Sequence, residues 1–546
     1  MRLSLAASSA SRWRFRARRF AYLAPHLHLA DPSIASDIAA GHMVLGGRSV
    51  LSSQRSPFQM PSPGDEFTRT LFGFSWLAHC EASENAGVRA HARALVSDYL
   101  EQVGADRPGL ADHPSVIARR MISWLTHAAL ITEGQDLPWY NRLLDQLARD
   151  AAMLSVFATR GDISIVRLEA AIALIFHALA LDLGKNALSR AERLLDLALG
   201  ALVAPDGATH DRNCGTVAIA AADLVAIQSL YRIRQTAPPP VLSSTLADMI
   251  AFLRFLQHPD GGLALLGGGT RVPRDLVSEV IRSRRGQASL LASAAESGFE
   301  RLENKHAVLI ADSGVPTRRA CSESAGASAL AFEFSSRADR IIVSAGMPPG
   351  ANDDVARAYR SAAAHSTILM ENEGLGHLAA VPDVLGANVL RLVSKPGFIA
   401  PLRARGEHGE TLTLGHRGFL EPFGYTVERQ LTLTDVLPGI IARDRFQDMR
   451  ETGEPRTIAL VFHLNPRIVP VRLSRSDAIV LRLPDGKPGH DQFLFEAPGW
   501  PLALEDGRVF EAGSTHTRSH VIVIDGTISG STEIVWRILP YLPDLH

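Results

Sequence analysis

The hydrophobic repeat of this chain changes period near residue 305, and no single architecture accommodates both halves. Before that point apolar residues recur three and four positions apart, the spacing of one helix face. In PSVIARRMISWLTHAALI (114–131), Ile117, Met121, Trp124, Leu125 and Ala128 share a face, and Pro114 suits a first helical turn. Leu143, Leu147, Ala151 and Leu154 continue the pattern. RLEAAIALIFHALAL (167–181) is apolar nearly all round and reads as an inner helix. An amphipathic stretch follows, with Leu188, Ala191, Leu195 and Ala198 on one side, then TVAIAAADLVAIQSLYR (216–232) and LSSTLADMIAFLRFL (242–256). Buried helices alternating with amphipathic ones fit two concentric layers, an (α/α) toroid, or a stacked solenoid.

After residue 305 the period falls to two. HAVLIAD (306–312), ALAFEFS (329–335), RIIVSAG (340–346), TILM (367–370), YTVERQLTLT (425–434), HVIVID (520–525) and TEIVWRI (532–538) read as strands broken by Gly, Pro and Asp turns. Such a series fits a large antiparallel β-sandwich. A chain of 546 residues exceeds one core in any case, since cores stop growing at roughly 250–300 residues. The expected organisation is an irregular segment over 1–65, a helical domain over 66–304 and a β-sandwich over 305–546. Residues 52–66 are rich in Ser and Pro and read as loop.

A net charge of −1 gives no support for nucleic-acid binding, though a local basic cleft is compatible with it. The three cysteines, Cys80, Cys214 and Cys321, have neither metal-ligand nor disulfide-framework spacing and read as buried small hydrophobes. The basic cluster Arg12 to Arg19 precedes only a short apolar run, Phe20 to Leu23, ended by Pro25. A secretory signal needs about 7–15 apolar residues there. The expectation is a cytoplasmic protein, with periplasm or cell envelope as the alternative. No run reaches the ~18 apolar residues of a membrane span.

Three segments carry candidate chemistry. PDGATHDRNCG (205–215) sets His210, Asp211, Arg212 and Asn213 just before a long apolar helix, where Asp211 or Asn213 could equally cap it. HPDGGLALLGGG (258–269) offers His258 and Asp260 beside glycines; it has no GK[ST] and is no P-loop. AYRSAAAHSTILM (358–370) places Tyr359, Arg360 and His365 at the entry to a strand. There is no GxSxG, HExxH, Rossmann fingerprint or EF-hand loop, so serine-hydrolase, zincin and dinucleotide readings lack their signals.

Taken in order, RLEAAIALIFHALAL, PDGATHDRN, FLQHPDGGLAL, ALAFEFS, YRSAAAHSTI, GYTVERQLTL and VFHLNP resemble the heparinase II/III-like polysaccharide lyases, as a divergent member. The resemblance runs from about LFGFSWLAHC (71–80) to IVWRILP (534–540). It implies an N-terminal (α/α) toroid followed by a C-terminal antiparallel β-sandwich, and cleavage of a uronate-containing acidic polysaccharide or oligosaccharide by β-elimination. That reaction neutralises the uronate carboxylate, removes the C5 proton and protonates the departing oxygen. The resemblance suggests His210, Asn213, Tyr359 and His365 as the catalytic set. Arg167, Arg212, Arg360, His258 and Asp260 are the suggested substrate contacts, the guanidinium fork being matched to a carboxylate.

The sequence departs from the family pattern at several positions. Ile165 stands near the place of the family's Asn, Thr216 at that of its catalytic Tyr, and ESAGASALAFEF (323–334) lacks its histidines. His365 matches a histidine that binds zinc in some members, but VSAG (343–346) lacks the acidic co-ligand, so no metal and no cofactor is expected. These gaps favour an alternative, a non-catalytic glycan-binding or envelope-biogenesis protein on the same scaffold. A glycoside hydrolase is a third possibility. It needs two carboxylates about 5–10 Å apart, for which Asp206, Asp211 and Asp260 are the nearest candidates in the helical domain.

Overall fold

The computed structural model describes residues 13–541 except 28–29, 53–54, 102–108, 162, 285–290, 315–320, 349–350, 352, 383–387, 395–396, 484–491 and 511–515. The start of the basic cluster, Arg12, therefore lies outside the described residues. The segment expected to be irregular carries a helix, α1 (Pro32–Ala39), and a hairpin of β1 (His42–Leu45) and β2 (Arg48–Leu51). Both have local causes. Asp31 caps α1 by accepting from the Ser33 N–H at 2.9 Å, with Pro32 in the first turn. Gly46 and Gly47 both have positive φ (53° and 73°), the requirement of a tight two-residue hairpin turn.

The toroid is built from α2 (Asp65–Gly73), α3 (Leu77–Ala82), α4 (Ala86–Glu101), α5 (Pro114–Thr126), α6 (Ala128–Thr132), α7 (Leu137–Arg160), α8 (Ile165–Ala180), α9 (Lys185–Leu202), α10 (Cys214–Ile233), α11 (Pro240–Phe255) and α12 (Arg274–Arg282). Helix α8 packs against α5, α7, α9 and α10. From Ala170 to Ala180 every residue of α8 is buried, as its unbroken apolar character requires. The expected single helix over 114–131 is broken at His127 into α5 and α6. Helix α10 is long and apolar enough to cross a bilayer, but 78% of that window is buried inside the protein, and it serves as a core helix.

The sandwich begins at Phe299, slightly before the expected boundary, with β3 (Phe299–Glu303), β4 (Ala307–Asp312), β5 (Phe332–Ser336), β6 (Asp339–Val343) and β7 (Ile368–Met370). Between β6 and β7 lies the short helix α13 (Asp353–Arg360). One sheet runs β18-β19-β14-β6-β5-β4-β3, with β7 beside β14. The other runs β10-β11-β12-β13-β20-β17-β16-β15. Here β10 is Phe398–Arg405, β11 Gly409–His416, β12 Tyr425–Thr434, β13 Ile440–Asp448, β14 Arg456–Leu464, β15 Val469–Arg472, β16 Ala478–Arg482, β17 Gln492–Glu496, β18 Leu502–Phe510, β19 His516–Ile528 and β20 Thr532–Pro540, while β8 (Gly376–Pro382) and β9 (Asn388–Ser394) pair apart from both sheets. Ile534, Trp536 and Ile538 all point inward, as their alternation predicts. Trp536 stacks on Phe332 of the facing sheet at 5.6 Å and meets Phe462 edge-on at 4.8 Å.

The inward positions include a charged pair. Arg429 on β12 faces Asp444 on β13, and both side chains are fully buried. The fork is bidentate, at 2.7 and 2.9 Å. Asp444 also accepts from the Trp536 indole at 2.8 Å, and Arg429 donates across the sandwich to the Leu330 carbonyl at 3.0 Å. Removing one member of a buried pair strands the other's charge, at a cost of about 3–5 kcal/mol. Asp444→Ala is expected to lower stability in urea unfolding by about that amount, whereas a loss below about 1 kcal/mol would show that the pair is not desolvated as drawn.

Candidate functional site

Most residues nominated from the sequence lie at the junction of the two domains and hold it together. Asn213 is the cap of α10. Its Oδ1 accepts from the N–H groups of Gly215 and Thr270, each at 2.9 Å, and its amide donates to Thr270 Oγ1 and the Gly268 carbonyl. Arg212 has left-handed backbone geometry (φ 59°), which turns its side chain to the sandwich. There it donates to the carbonyls of Ser297 (2.7 Å) and Gly298 (3.3 Å) and pairs with Asp312 on β4 at 2.5 Å. Its guanidinium also lies 4.5 Å from the centre of the Phe299 ring.

His258 and Asp260 belong to a second buried network. His258 Nδ1 lies 2.7 Å from Ser335 Oγ, and its Nε2 is 3.3 Å from Glu333. Asp260 takes both arms of Arg340 at 3.0 Å and pairs with Arg274 at 2.8 Å. Burial and the nearby Arg340 charge push His258 down to about 4. Burial alone would raise Glu333, but hydrogen bonding and charge from His258, with Arg340, hold it below the usual carboxylate range.

Arg360 is buried, and its guanidinium donates to three backbone carbonyls, those of Ala325, Leu390 and Ser322, at 2.9–3.1 Å. Arg212 and Arg360 thus spend guanidinium donors on the protein itself, and Arg360 also lines the groove described below. His365 is also buried, with Nδ1 3.1 Å from Ser344 Oγ, and burial pushes it down to about 4. Tyr359 packs edge-on against Phe510 at 4.8 Å. His210 is half-buried in the turn before α10, its N–H bonded to the Leu202 carbonyl, and Arg167 is half-buried in the first turn of α8. None of these four lines the cavity or the groove described next.

The carboxylates considered for hydrolysis are also engaged. Asp206 accepts from the Ser297 N–H at 2.7 Å. Asp211 accepts from the hydroxyls of Thr209, Thr216 and Ser324 at 2.6–2.7 Å. The glycines of 258–269 form a close crossing between domains. A Cβ on Gly268 (φ 85°) would stand 2.4 Å from the Gly326 nitrogen.

Open space lies elsewhere. A cavity of about 460 Å³ sits inside the toroid, walled by α2, α5, α8 and α10. It shares Glu66 and Arg69 of α2 with a groove of about 920 Å³ that runs between the toroid, the β1–β2 hairpin and the sandwich-side residues Glu323, Met347, Asp353, Arg360 and Leu390. In the cavity Arg119 is spent on Asp223, in a two-armed pair at 3.0 and 3.2 Å. Arg69 donates to Ser115 Oγ at 3.1 Å and forms no ion pair among the described residues. Burial pushes Glu169 up to about 7, with the Asp223 and Asp211 charges adding to it and Arg119 and Arg69 opposing. A carboxyl titrating near neutrality in a cleft is a mark of acid–base chemistry. The groove itself is of mixed sign, with acidic Asp37, Asp65, Glu66, Glu323 and Asp353 facing Arg69, Arg271 and Arg360. It is not the electropositive cleft that an acidic glycan led us to expect.

Comparison with known proteins agrees with this architecture. Residues 286–537 match the heparinase II/III-like C-terminal family. The C-terminal part of the chain carries a heparinase II/III-like domain. The structure of heparinase III superimposes with a TM-score of 0.69 at 12% identity, covering 90% of this chain and 80% of that one. The heparan sulfate lyase HepC of Pedobacter heparinus gives 0.57 at 14% identity, with 94% and 84% covered. The chondroitin AC lyase of Streptomyces coelicolor A3, in complex with chondroitin sulphate, gives 0.53 at 12% identity, with 98% and 80% covered. At such identities these likenesses show a shared toroid-and-sandwich fold. A relative in sequence is FtsZ-localized protein C of Caulobacter vibrioides, 28% identical over 451 residues, which span 80% of this chain and 76% of that one.

Two outcomes follow from this geometry. Arg212→Ala removes a cation from a buried pair with Asp312 and is expected to cost about 3–5 kcal/mol. It should also separate the unfolding of the two domains in calorimetry, while a single unshifted transition would contradict the clamp. Glu169 has a raised folded value, so the native state holds its proton longer than the unfolded chain. Stability should therefore fall as pH rises from about 4.5 to about 7 and then level off. Glu169→Gln should abolish that slope in denaturation series across the same range, and an unchanged slope would contradict the assignment.

Proposed function

We propose that this chain is a lyase that cleaves a uronate-containing glycan by β-elimination, with the sugar chain in the interdomain groove and the reacting ring in the toroid cavity. The observation that carries the proposal is the meeting, in one cavity, of Arg69, which forms no ion pair among the described residues, and a carboxyl whose value burial raises to about 7. Arg69 would bind the uronate carboxylate and so acidify the C5 hydrogen. Glu169 would take that proton as the C4–C5 double bond forms and the C4–O4 bond breaks, then return it to the departing oxygen. One carboxyl serves both steps when its pKa lies near the working pH. The mixed charge of the groove favours a sparsely charged glycan over a polysulfated one.

A second reading, glycan binding without cleavage in envelope biogenesis, is favoured by Thr216. It stands at the place expected for the family's tyrosine, and its hydroxyl is given to Asp211. The name of the Caulobacter relative, which ties that protein to FtsZ, points the same way.

Incubation with a panel of uronate polysaccharides, followed by absorbance near ~232 nm where the unsaturated product absorbs, separates the readings. Under the lyase proposal absorbance rises, Glu169→Gln lowers the rate by about 100-fold or more, and Arg69→Ala raises KM as well as lowering kcat. Saturable binding with no absorbance change would replace the proposal with the second reading.

A further inference from the structure

Three chain segments bring two imidazoles and a carboxylate together on the cavity wall. Glu81 ends the short helix α3, His127 occupies the break between α5 and α6, and His26 lies on the extended segment that precedes α1. One ligand atom from each lies within 4.8 Å of the other two. His127 Nδ1 is 2.6 Å from Glu81 Oε2, and His26 Nε2 is 3.8 Å from the same oxygen. The rings of His26 and His127 stand 4.9 Å apart at 64°. Tetrahedral zinc with bonds of about 2.0–2.1 Å holds its donors about 3.3 Å apart. The two distances to Glu81 lie on either side of that value, at 2.6 and 3.8 Å, so side-chain rotations moving the donors by about half an ångström or more bring them to it.

We infer that His26, Glu81 and His127 bind a divalent ion of the zinc class, with its fourth position open to the toroid cavity. The donor set is two histidines and one glutamate, a borderline nitrogen–oxygen set suited to Zn²⁺ rather than to Ca²⁺ or Mg²⁺. Three protein donors and one free position are the pattern of a site that takes a water or a ligand, where four donors would close it. His26 and His127 both line the cavity, so the free position faces the space that also holds Arg69 and Glu169. His26 adds a second indication. Its Nδ1 is buried without a hydrogen-bond partner among the described residues, so hydrogen bonding alone does not fix this ring.

This site is distinct from His365 in the sandwich. It arises only in three dimensions, because positions 26, 81 and 127 carry no ligand spacing in the chain. A bound ion would also pin the segment before α1 to the toroid.

The test uses the untagged full chain and metal alone. After chelation and dialysis, Zn²⁺ is titrated with metal analysis, and Co²⁺ is added as a spectroscopic probe. The expected result is one ion per chain, visible Co²⁺ absorption of a four-coordinate site, and a rise in Tm with Zn²⁺. His26→Ala and His127→Ala should each weaken binding by at least about 100-fold, and His365→Ala should leave it unchanged. His26 lies on the extended segment before α1, so its variant reports even if His127→Ala fails to fold. Absence of stoichiometric uptake, or uptake that survives both His26→Ala and Glu81→Gln, would overturn the inference.

Discussion

The buried ionic seam between toroid and sandwich is the constraint on which the rest of the structure depends. On one side Arg212 reaches from the turn before α10 to Asp312 on β4. On the other, Asp260 of the helical domain grips Arg340 of β6, which in turn lies 3.5 Å from Glu333 on β5. Each charge is desolvated, so each needs its partner, and the geometry of the junction is fixed by that need. The glycine crossing at 268 and 326 adds a steric condition, since backbones approach there more closely than any side chain allows. The groove between the domains owes its shape to this seam.

The same seam explains why the most conspicuous polar residues are not the ones facing open space. PDGATHDRN and HPDGG are the loops that join helices at the sandwich end of the toroid. Their side chains had to satisfy helix caps, buried carbonyls and opposite charges. A sequence shows that such residues are polar and clustered, but it does not show what consumes their hydrogen bonds. The signal that pointed to the cavity was quieter. Glu169 and Asp223 are the single carboxylates of two largely apolar helices, α8 and α10, where a carboxylate is costly unless something meets it. Read that way, RLEAAIAL and AAADLVAI both mark the cavity, and ARRMIS supplies Arg119 to answer one of them.

The fold itself was far more legible, because burial imposes a period that local sequence must obey. The helical repeat over 114–256 and the alternation in YTVERQLTLT and TEIVWRI translate directly into buried faces. Arg429 is the informative exception. It occupies an inward position of a strand read as apolar-in, and it is tolerated because Asp444 and the Leu330 carbonyl accept from its guanidinium, while the Trp536 indole donates to Asp444. The hairpin at 42–51 was missed although Gly46–Gly47 is a strong turn signal, since its strands are only four residues each and too short to show a period. The break at His127 was likewise hidden within a continuous apolar repeat.

The central claim is that ligand enters the toroid cavity beside Arg69 and Glu169, away from the loops that seal the domain junction. Amide hydrogen exchange with and without a saturating uronate oligosaccharide tests this most directly, because it locates contact independently of turnover. The account predicts new protection in α2 (Asp65–Gly73) and the first turns of α8 (Ile165–Ala180), with 205–215 and 362–366 unchanged. Protection confined to those two loops would contradict it and restore the residues first nominated from the sequence.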